Sequence, residues 1–157
     1  MNQTFVEQLR QFYESHRQEL YTYSLALTRN REAAEDAIHN AFQRLLRRGS
    51  APAELRPYVF RCVRNAAMDD LRRAKGRESD LFVTHDNHAV DSNLRTELNT
   101  LFAQLSNDER ETIVLKVFDT MTFQEIADLR NVSINTTASW YRRGLEKLKV
   151  LWMEEAK

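Results

Sequence analysis

MTFQEIADLRNVSINTTASWYRRGLEKLK, from Met121 to Lys149, reads as two helices joined by a tight turn. Thr122 and Glu125 are three residues apart. At that spacing a hydroxyl accepts from the backbone N–H of the third helical residue, while that residue's carboxylate accepts from the N–H of the capping residue. Phe123, Ile126 and Ala127 give the short first helix an apolar side. Asn131 falls where the turn needs a left-handed backbone, a conformation asparagine tolerates better than most residues with a Cβ. Ser133 is placed to cap the second helix. At about 100° per residue, Ile134, Thr137, Ala138, Tyr141, Leu145, Leu148 and Trp152 share one side of that helix, and the spacing assigns them to the core. The opposite arc carries Asn135, Thr136, Ser139, Arg143 and Lys147, with Trp140 and Arg142 at its margins. Short polar side chains leading into arginine and lysine suit base edges first and phosphates next, which makes this arc the candidate surface for a DNA major groove. A solvated helix in an ordinary bundle has the same period, so spacing alone does not separate the two.

Working outward, the chain is 157 residues long, 29% charged and 42% hydrophobic, which is the range of folded proteins. That length permits one domain or two small ones. Three glycines, two prolines and scattered β-branched residues argue for an all-helical protein. No apolar run reaches the roughly 20 residues of a membrane span, and the N-terminus lacks a signal-peptide core, so a cytoplasmic location without membrane insertion is expected. Cys62 is the only cysteine, which excludes an internal disulfide and a cysteine-rich metal site. No cofactor is expected. No nucleophile with an adjacent base, suggestive carboxylate pair or phosphate-binding glycine loop is present, so no catalytic residue is assigned and an enzyme is not expected.

The formal net charge of zero argues against tight electrostatic binding of DNA by this chain alone. Its distribution is uneven. Arg56, Arg61, Arg64, Arg72, Arg73, Lys75 and Arg77 face only Asp69 and Asp70, whereas residues 79–120 are dominated by acids. The first of these segments suits a polyanion.

Phe5, Leu9, Phe12, His16, Leu20, Tyr23 and Leu27 follow helical spacing through a first helix from about Thr4 to Leu27, with His16 read as a packed residue. A second helix begins near Arg31. Glu32, Glu35 and Asp36 suit its N-terminal end and Arg44, Arg47 and Arg48 its C-terminal end; Ala34, Ala37, Ile38, Ala41 and Leu45 form its inner side. Residues 47–53 are a break, and Pro57 suits the first turn of a third helix, Tyr58 to about Arg73. Val59, Phe60, Val63, Ala66, Ala67 and Leu71 lie on one arc of this helix. The other arc shows Tyr58, Arg61, Asn65, Asp69 and Arg72, with Cys62 and Arg73 beside them. An aromatic ring, an amide and arginines on one exposed face can stack on unpaired bases while holding phosphates.

Residues 76–93 are polar and aperiodic and read as a linker. Leu81, Phe82 and Val83 form a short apolar patch in it. His85 and His88 have a metal-compatible spacing but too few neighbouring ligands, and no metal is assigned. Beyond the linker, Leu94, Leu98, Leu101, Phe102 and Leu105 open a second helical domain, Ser106 and Glu109 form another capping box, and Ile113, Val114, Val117 and Phe118 carry the next helix towards Met121. The expected fold is all-α: two small helical domains, 1–75 and 94–157, with the helix-turn-helix in the second.

Three segments in this order, AEDAIHNAF (34–42), YVFRCVRNAAMDDLRR (58–73) and Leu105 to Leu148, resemble motifs of the extracytoplasmic-function sigma factors, within the sigma-70 family of bacterial RNA polymerase. The resemblance spans nearly the whole chain. It implies a region 2-like first domain and a region 4-like second one. The second helix would lie on the clamp of the polymerase core, with Asp36, His39, Phe42 and Gln43 among the contacts. The segment 48–57 and the exposed arc of the third helix (Tyr58, Arg61, Asn65, Asp69, Arg72, Arg73) would open and read the minus-ten promoter element. Asn135, Thr136, Ser139, Trp140, Arg142, Arg143 and Lys147 would face the minus-thirty-five element, and an anti-sigma factor is an implied partner. The chain departs from the family pattern at three places: His39-Asn40 stands where a Gln-acid pair is common, Tyr58 where Trp is usual, and Ala138 and Trp140 where many members carry basic residues. Two other readings stay open: a helix-turn-helix regulator acting without polymerase, and a sigma-like interaction module that has lost initiation.

Overall fold

The computed structural model describes residues 3–75 and 100–155. The linker, its apolar patch at Leu81–Val83, the His85/His88 pair, Leu94 and Leu98 lie outside the described residues. Contacts divide the chain into two units. No helix is long and apolar enough among the described residues to cross a membrane.

The first unit is three helices, α1 (Gln3–Thr28), α2 (Arg31–Arg48) and α3 (Leu55–Lys75), each packed on the other two. Their buried faces follow the sequence period. Phe5, Leu9, Phe12, Leu20 and Tyr23 come from α1, Ala34, Ala37, Ile38, Ala41 and Leu45 from α2, and Val59, Phe60, Val63, Ala66 and Ala67 from α3. Ala37 meets Ala66 and Ala67, with Leu27 packed against the cluster, so α2 and α3 approach through small side chains. His16 stacks on Phe12 at 4.1 Å and sits within hydrogen-bonding distance of the Phe12 carbonyl at 3.1 Å, a packed position as its place on the stripe predicts.

The α1–α2 corner turns on polar side chains. Arg29 is left-handed (φ 57°), and Asn30 caps α2 by accepting from Ala33 N at 3.0 Å. Ser24, fully buried, donates to the Ala34 carbonyl at 2.9 Å and thereby ties the two helices. Gly49 ends α2 in the left-handed region (φ 76°), where a residue without a Cβ is unstrained, and its N–H reaches the Leu45 carbonyl at 3.3 Å. The chain then crosses residues 50–54, where Ala51, Pro52 and Ala53 line a shallow groove against Gln8, Gln11, Phe12 and Ser15 of α1.

The second unit holds a helical stretch at 100–103, then α4 (Asn107–Ile113), a π-helical turn (Val114–Phe118), α5 (Phe123–Arg130) and α6 (Ile134–Glu155). The Ser106/Glu109 capping box forms with both hydrogen bonds, at 3.2 and 3.0 Å. The continuous helix expected through Phe118 does not: Asp119 N bonds back five residues to the Val114 carbonyl at 3.1 Å, and Met121 N reaches the Leu115 carbonyl at 3.0 Å. The wider turn changes which residues face inward. Leu115 is fully buried, whereas Val117 and Phe118, grouped with Ile113 and Val114 in the sequence, are each 50% exposed.

Two arginines hold this unit from inside. Arg110 donates to the Phe102 and Leu105 carbonyls at 3.1 and 3.2 Å and to Asn107 Oδ1 at 3.0 Å. Arg130, at the end of α5, pairs with Asp108 at 2.6 Å and with buried Glu111 at 2.9 Å. Buried charges persist only when paired and hydrogen-bonded, and removing one partner of such a pair costs about 3–5 kcal/mol. Arg110 and Arg130 are therefore structural, although the sequence shows Arg110 only as an isolated base in the acid-dominated segment 79–120.

Candidate nucleic-acid interface

The predicted helix-turn-helix is present. Thr122 accepts from Glu125 N at 3.1 Å, and the Glu125 carboxylate accepts from Thr122 N at 3.0 Å. Asn131 is left-handed (φ 56°, ψ 49°). Ser133 Oγ accepts from Thr136 N at 3.1 Å, which caps α6 as the sequence indicates.

The buried line of α6 is rotated from the expected one. Thr137 and Gly144 are buried, and Ala138, Tyr141 and Leu148 are partly buried. Ile134, Leu145 and Trp152, expected on the same side, are 44, 39 and 65% exposed. The cause lies at Gly144. A Cβ there would stand 2.5 Å from Ile113 Cδ1, so glycine sets the closest approach of α6 to α4 and pulls that stripe inward. Hydrophobic spacing gives glycine no weight. The available signal was its cost: a glycine inside a helix is disfavoured by about 1 kcal/mol relative to alanine and usually marks close packing.

The polar arc of α6 begins with exposed Asn135 and partly exposed Thr136 and Ser139, followed by exposed Arg142 and Arg143. Arg143 Nε reaches back to the Ser139 carbonyl at 3.4 Å. The other two predicted residues have intramolecular engagements. Trp140 lies under the Arg130 guanidinium, 4.8 Å from the ring centroid. Lys147 Nζ is 2.7 Å from Glu109 Oε1, the carboxylate that also caps α4. The Glu109 carboxyl sits below its ordinary range: burial pushes it up, but the hydrogen bond from Lys147, the Ser106 cap and the Lys147 charge outweigh burial.

In the first unit, the exposed arc of α3 places Tyr58, Arg61, Asn65, Asp69, Arg72 and Arg73 together as predicted, with Arg61, Asn65, Arg72 and Arg73 exposed and Tyr58 and Asp69 partly buried. Asp69 is paired with Arg72 on its own helix and with Arg44 of α2 at 3.5 Å. Tyr58 accepts from Arg48 of α2 at 2.6 Å, and the same guanidinium carbon is 4.8 Å from its ring centroid. The sequence reading placed Arg44 and Arg48 at the end of α2 and, through the resemblance, Arg48 at the start of the minus-ten segment 48–57, but expected neither to touch α3. On α2, Asp36, His39 and Gln43 lie exposed along one stripe, opposite the buried alanines. Phe42 flanks that stripe and meets Tyr13 of α1 edge-on at 5.4 Å.

One unit carries a helix-turn-helix with a polar, then basic outer arc, and the other an aromatic and arginine-bearing face, a build that suits a DNA-binding transcription factor. Family models place it further. Sigma-70 region 2 matches residues 12–77, and sigma-70 region 4 matches residues 95–148. The RNA polymerase sigma factor CarQ of Myxococcus xanthus is 31% identical over 137 residues, covering 80% of this chain and 78% of that protein. The ECF RNA polymerase sigma factor SigM of Bacillus subtilis (strain 168) is 23% identical over 152 residues, covering 90% of this chain and 93% of that protein. In fold, the chain is similar to the sigma factor RpoE solved in complex with the anti-sigma factor NepR from Bartonella quintana. The TM-score is 0.75 with 18% sequence identity, over 94% of this chain and 98% of that one. The chain belongs to the sigma-70 family and is an extracytoplasmic-function sigma factor.

Proposed function

We propose that this sigma factor works by dividing promoter recognition between its two units, with residues 1–75 handling the minus-ten element and 94–157 the minus-thirty-five element, joined by residues 76–93. As a sigma factor it directs RNA polymerase to promoters and initiates transcription there. The role is regulatory; the chemistry of RNA synthesis belongs to the polymerase, and no catalytic residue, metal or cofactor is assigned to this chain. It acts in the cytoplasm, with the polymerase and the chromosome.

The observation that carries the assignment is the order of the two family matches: region 2 falls on the unit with the arginine-bearing α3 face, and region 4 on the unit with the helix-turn-helix. Asp36, His39, Phe42 and Gln43 contact the polymerase core. Tyr58, Arg61, Asn65, Asp69, Arg72 and Arg73 engage the opened strand. Asn135, Thr136, Ser139, Arg142 and Arg143 read the duplex, and Trp140 and Lys147 border that surface while also bracing it from within. With zero net charge, the chain has little bulk attraction for DNA. The polymerase supplies that affinity and fixes the distance between the two sites, so two weak contacts act together. An anti-sigma factor as a further partner is supported by the resemblance in fold to a sigma factor solved with one.

The test is copurification with core polymerase followed by transcription from genomic fragments. The expected result is a core complex with new, specific start sites. A chain that binds a palindromic duplex tightly without core would favour the stand-alone regulator. One that binds core without moving start sites would favour the interaction module.

A further inference from the structure

Trp140 is an apolar ring set into the polar arc of α6. Its neighbours one turn away on that side of the helix are Thr136 and Arg143, both proposed above to read the duplex, whereas the buried line runs through Thr137 and Gly144. A tryptophan needed only for the core would lie on that line. This one is partly exposed, and a chain of charges from two other helices holds it in place. The Arg130 guanidinium of α5 covers the ring, 4.8 Å from its centroid. Arg130, its side chain only 10% exposed, is itself fixed from α4 by Asp108 at 2.6 Å and Glu111 at 2.9 Å.

The two carboxylates compensate the guanidinium charge, so the Arg130–Trp140 pair offers a phosphate little attraction. What it does offer is the flat apolar edge of an indole at a fixed angle. Because the ring is stacked and its partner is ion-paired in the folded chain, little side-chain freedom is left to lose on binding. Base pairs present ring nitrogens, carbonyl oxygens and amino groups in the major groove, all of them polar, and the thymine methyl is the group there with apolar surface to cover. We infer that Trp140 reads a thymine of the minus-thirty-five element through its 5-methyl group, with Arg130 as the residue that positions the ring. This names the base that one side chain recognises, and it rests on the duplex-reading role of α6 proposed above.

Polymerase holoenzyme assembled with the full chain is titrated against a fluorescein-labelled promoter duplex recovered in the transcription test. Each thymine of the minus-thirty-five element, on either strand, is replaced in turn by deoxyuridine, which keeps the base's hydrogen-bonding groups and removes only the methyl. At one or two neighbouring thymines wild-type holoenzyme is expected to bind roughly fourfold more weakly, the worth of one buried methyl group. Trp140→Ala holoenzyme should bind the natural duplex at least that much more weakly and show no further loss at the same positions. Arg130→Lys keeps a cation near Asp108 and Glu111 but puts no flat face over the ring, so its thymine-to-uracil ratio should fall towards one, a change that lost stability alone does not produce. As a measurement free of any variant, wild type is compared on duplexes with cytosine or 5-methylcytosine at a sensitive position, and the methylated base should bind more tightly by a similar factor. Losses at deoxyuridine that persist undiminished in Trp140→Ala would give the methyl to another side chain and overturn the assignment. A wild type indifferent to every methyl overturns it too, and sensitivity to base changes alone would move the reading to the ring N–H. If wild-type binding survives a scrambled minus-thirty-five element, the duplex role of α6 falls and the Trp140 contact with it.

Discussion

Lys147 Nζ lies 2.7 Å from Glu109 Oε1, and that same oxygen accepts from Ser106 N at 3.0 Å, so one carboxylate closes the start of α4 and holds the later turns of α6. The pair links the capping of one helix to the aim of another.

The first prediction follows from that carboxylate. Its folded-state pKa is depressed, so the stabilisation it supplies is complete above its unfolded value, near 4.5, and disappears as pH falls through the lower folded value. Glu109→Gln keeps an acceptor for Ser106 N but loses the ion pair. It is expected to cost about 1 kcal/mol in urea unfolding of the full chain at pH 7. Repeating the titration at progressively more acidic pH should bring variant and wild type together as the carboxylate protonates. A penalty that persists undiminished there would mean that packing, not charge, explains the loss.

Gly144 gives a second prediction, on the close approach of α6 to α4. Gly144→Ala gains helix propensity of about 1 kcal/mol but must displace the Ile113 terminal methyl, so its net change is small. Gly144→Val adds bulk that cannot be displaced so cheaply and should destabilise by about 2 kcal/mol or more. Ile113→Val removes the opposing methyl. In that background Gly144→Ala should become stabilising, giving a non-additive double-mutant cycle in urea melts. Additive effects would show that the two residues do not meet.

Much of this architecture was legible because the signals were local. Thr122/Glu125, Ser106/Glu109, Asn131 and Ser133 each specify a backbone conformation through their own hydrogen bonds, and all four adopt it. The alternating stripes of α1, α2 and α3 were equally plain, because each has a full inner face of large or small apolar residues. What escaped depended on partners distant in sequence. The inward turn of α6 at Gly144 is set by Ile113, the engagement of Lys147 by Glu109, and the position of Trp140 by Arg130, itself held by Asp108 and Glu111. The π turn at Val114–Phe118 escaped for another reason: VLKVF carries no residue that distinguishes it from α-helix. On the strand face, the arc of α3 was visible from its own period, but Arg44 and Arg48 reach it from a different helix.

Cys62 provides a spectator for that face and a third prediction. Burial pushes its thiol above the ordinary range, against the opposing pull of Arg44, Arg48 and Arg61. Because the thiolate is the nucleophile, alkylation of the free chain should be slow at neutral pH and rise with a midpoint above that of an exposed cysteine. Removing Arg48 as Arg48→Gln takes away one of the charges holding the thiolate, so the midpoint should move further up. A pH–rate profile that stays in place would show that the guanidinium does not bear on this thiol.

The α2 stripe proposed to meet the polymerase core gives a fourth prediction. Phe42 is the only apolar side chain among its four assigned residues, and the Tyr13 ring fixes it edge-on at 5.4 Å. Aromatic anchors commonly dominate an interface, so Phe42→Ala should weaken association with core polymerase by about tenfold or more, measured by competition for core against wild type. Tyr13→Phe keeps the ring contact and should leave core binding unchanged. Loss of core binding in Tyr13→Phe would assign the hydroxyl, 42% exposed residue that Tyr13 is, a contact of its own.

The two faces proposed to meet DNA make separable demands, and the last prediction uses the difference. Arg143 stands exposed on α6 with a long contact to the Ser139 carbonyl, so it can swing to a base edge or phosphate at little cost. Arg143→Ala should weaken binding of holoenzyme to promoter duplex by about 1–3 kcal/mol without changing how fast bound promoter opens. Asn65 is exposed on α3 between Arg61 and Asp69, and its amide offers both a donor and an acceptor to an unpaired base edge. Pairing occupies the Watson–Crick edge, which only an opened strand offers, so Asn65→Ala should leave duplex binding nearly intact and slow opening instead, a change read by fluorescence of a base analogue in the minus-ten element. If the two variants show the same defect, a single composite surface binds DNA and the division between the units is lost. Opposite defects require that the strands separate on α3 while α6 stays on paired DNA, because no single groove offers paired and unpaired edges at once.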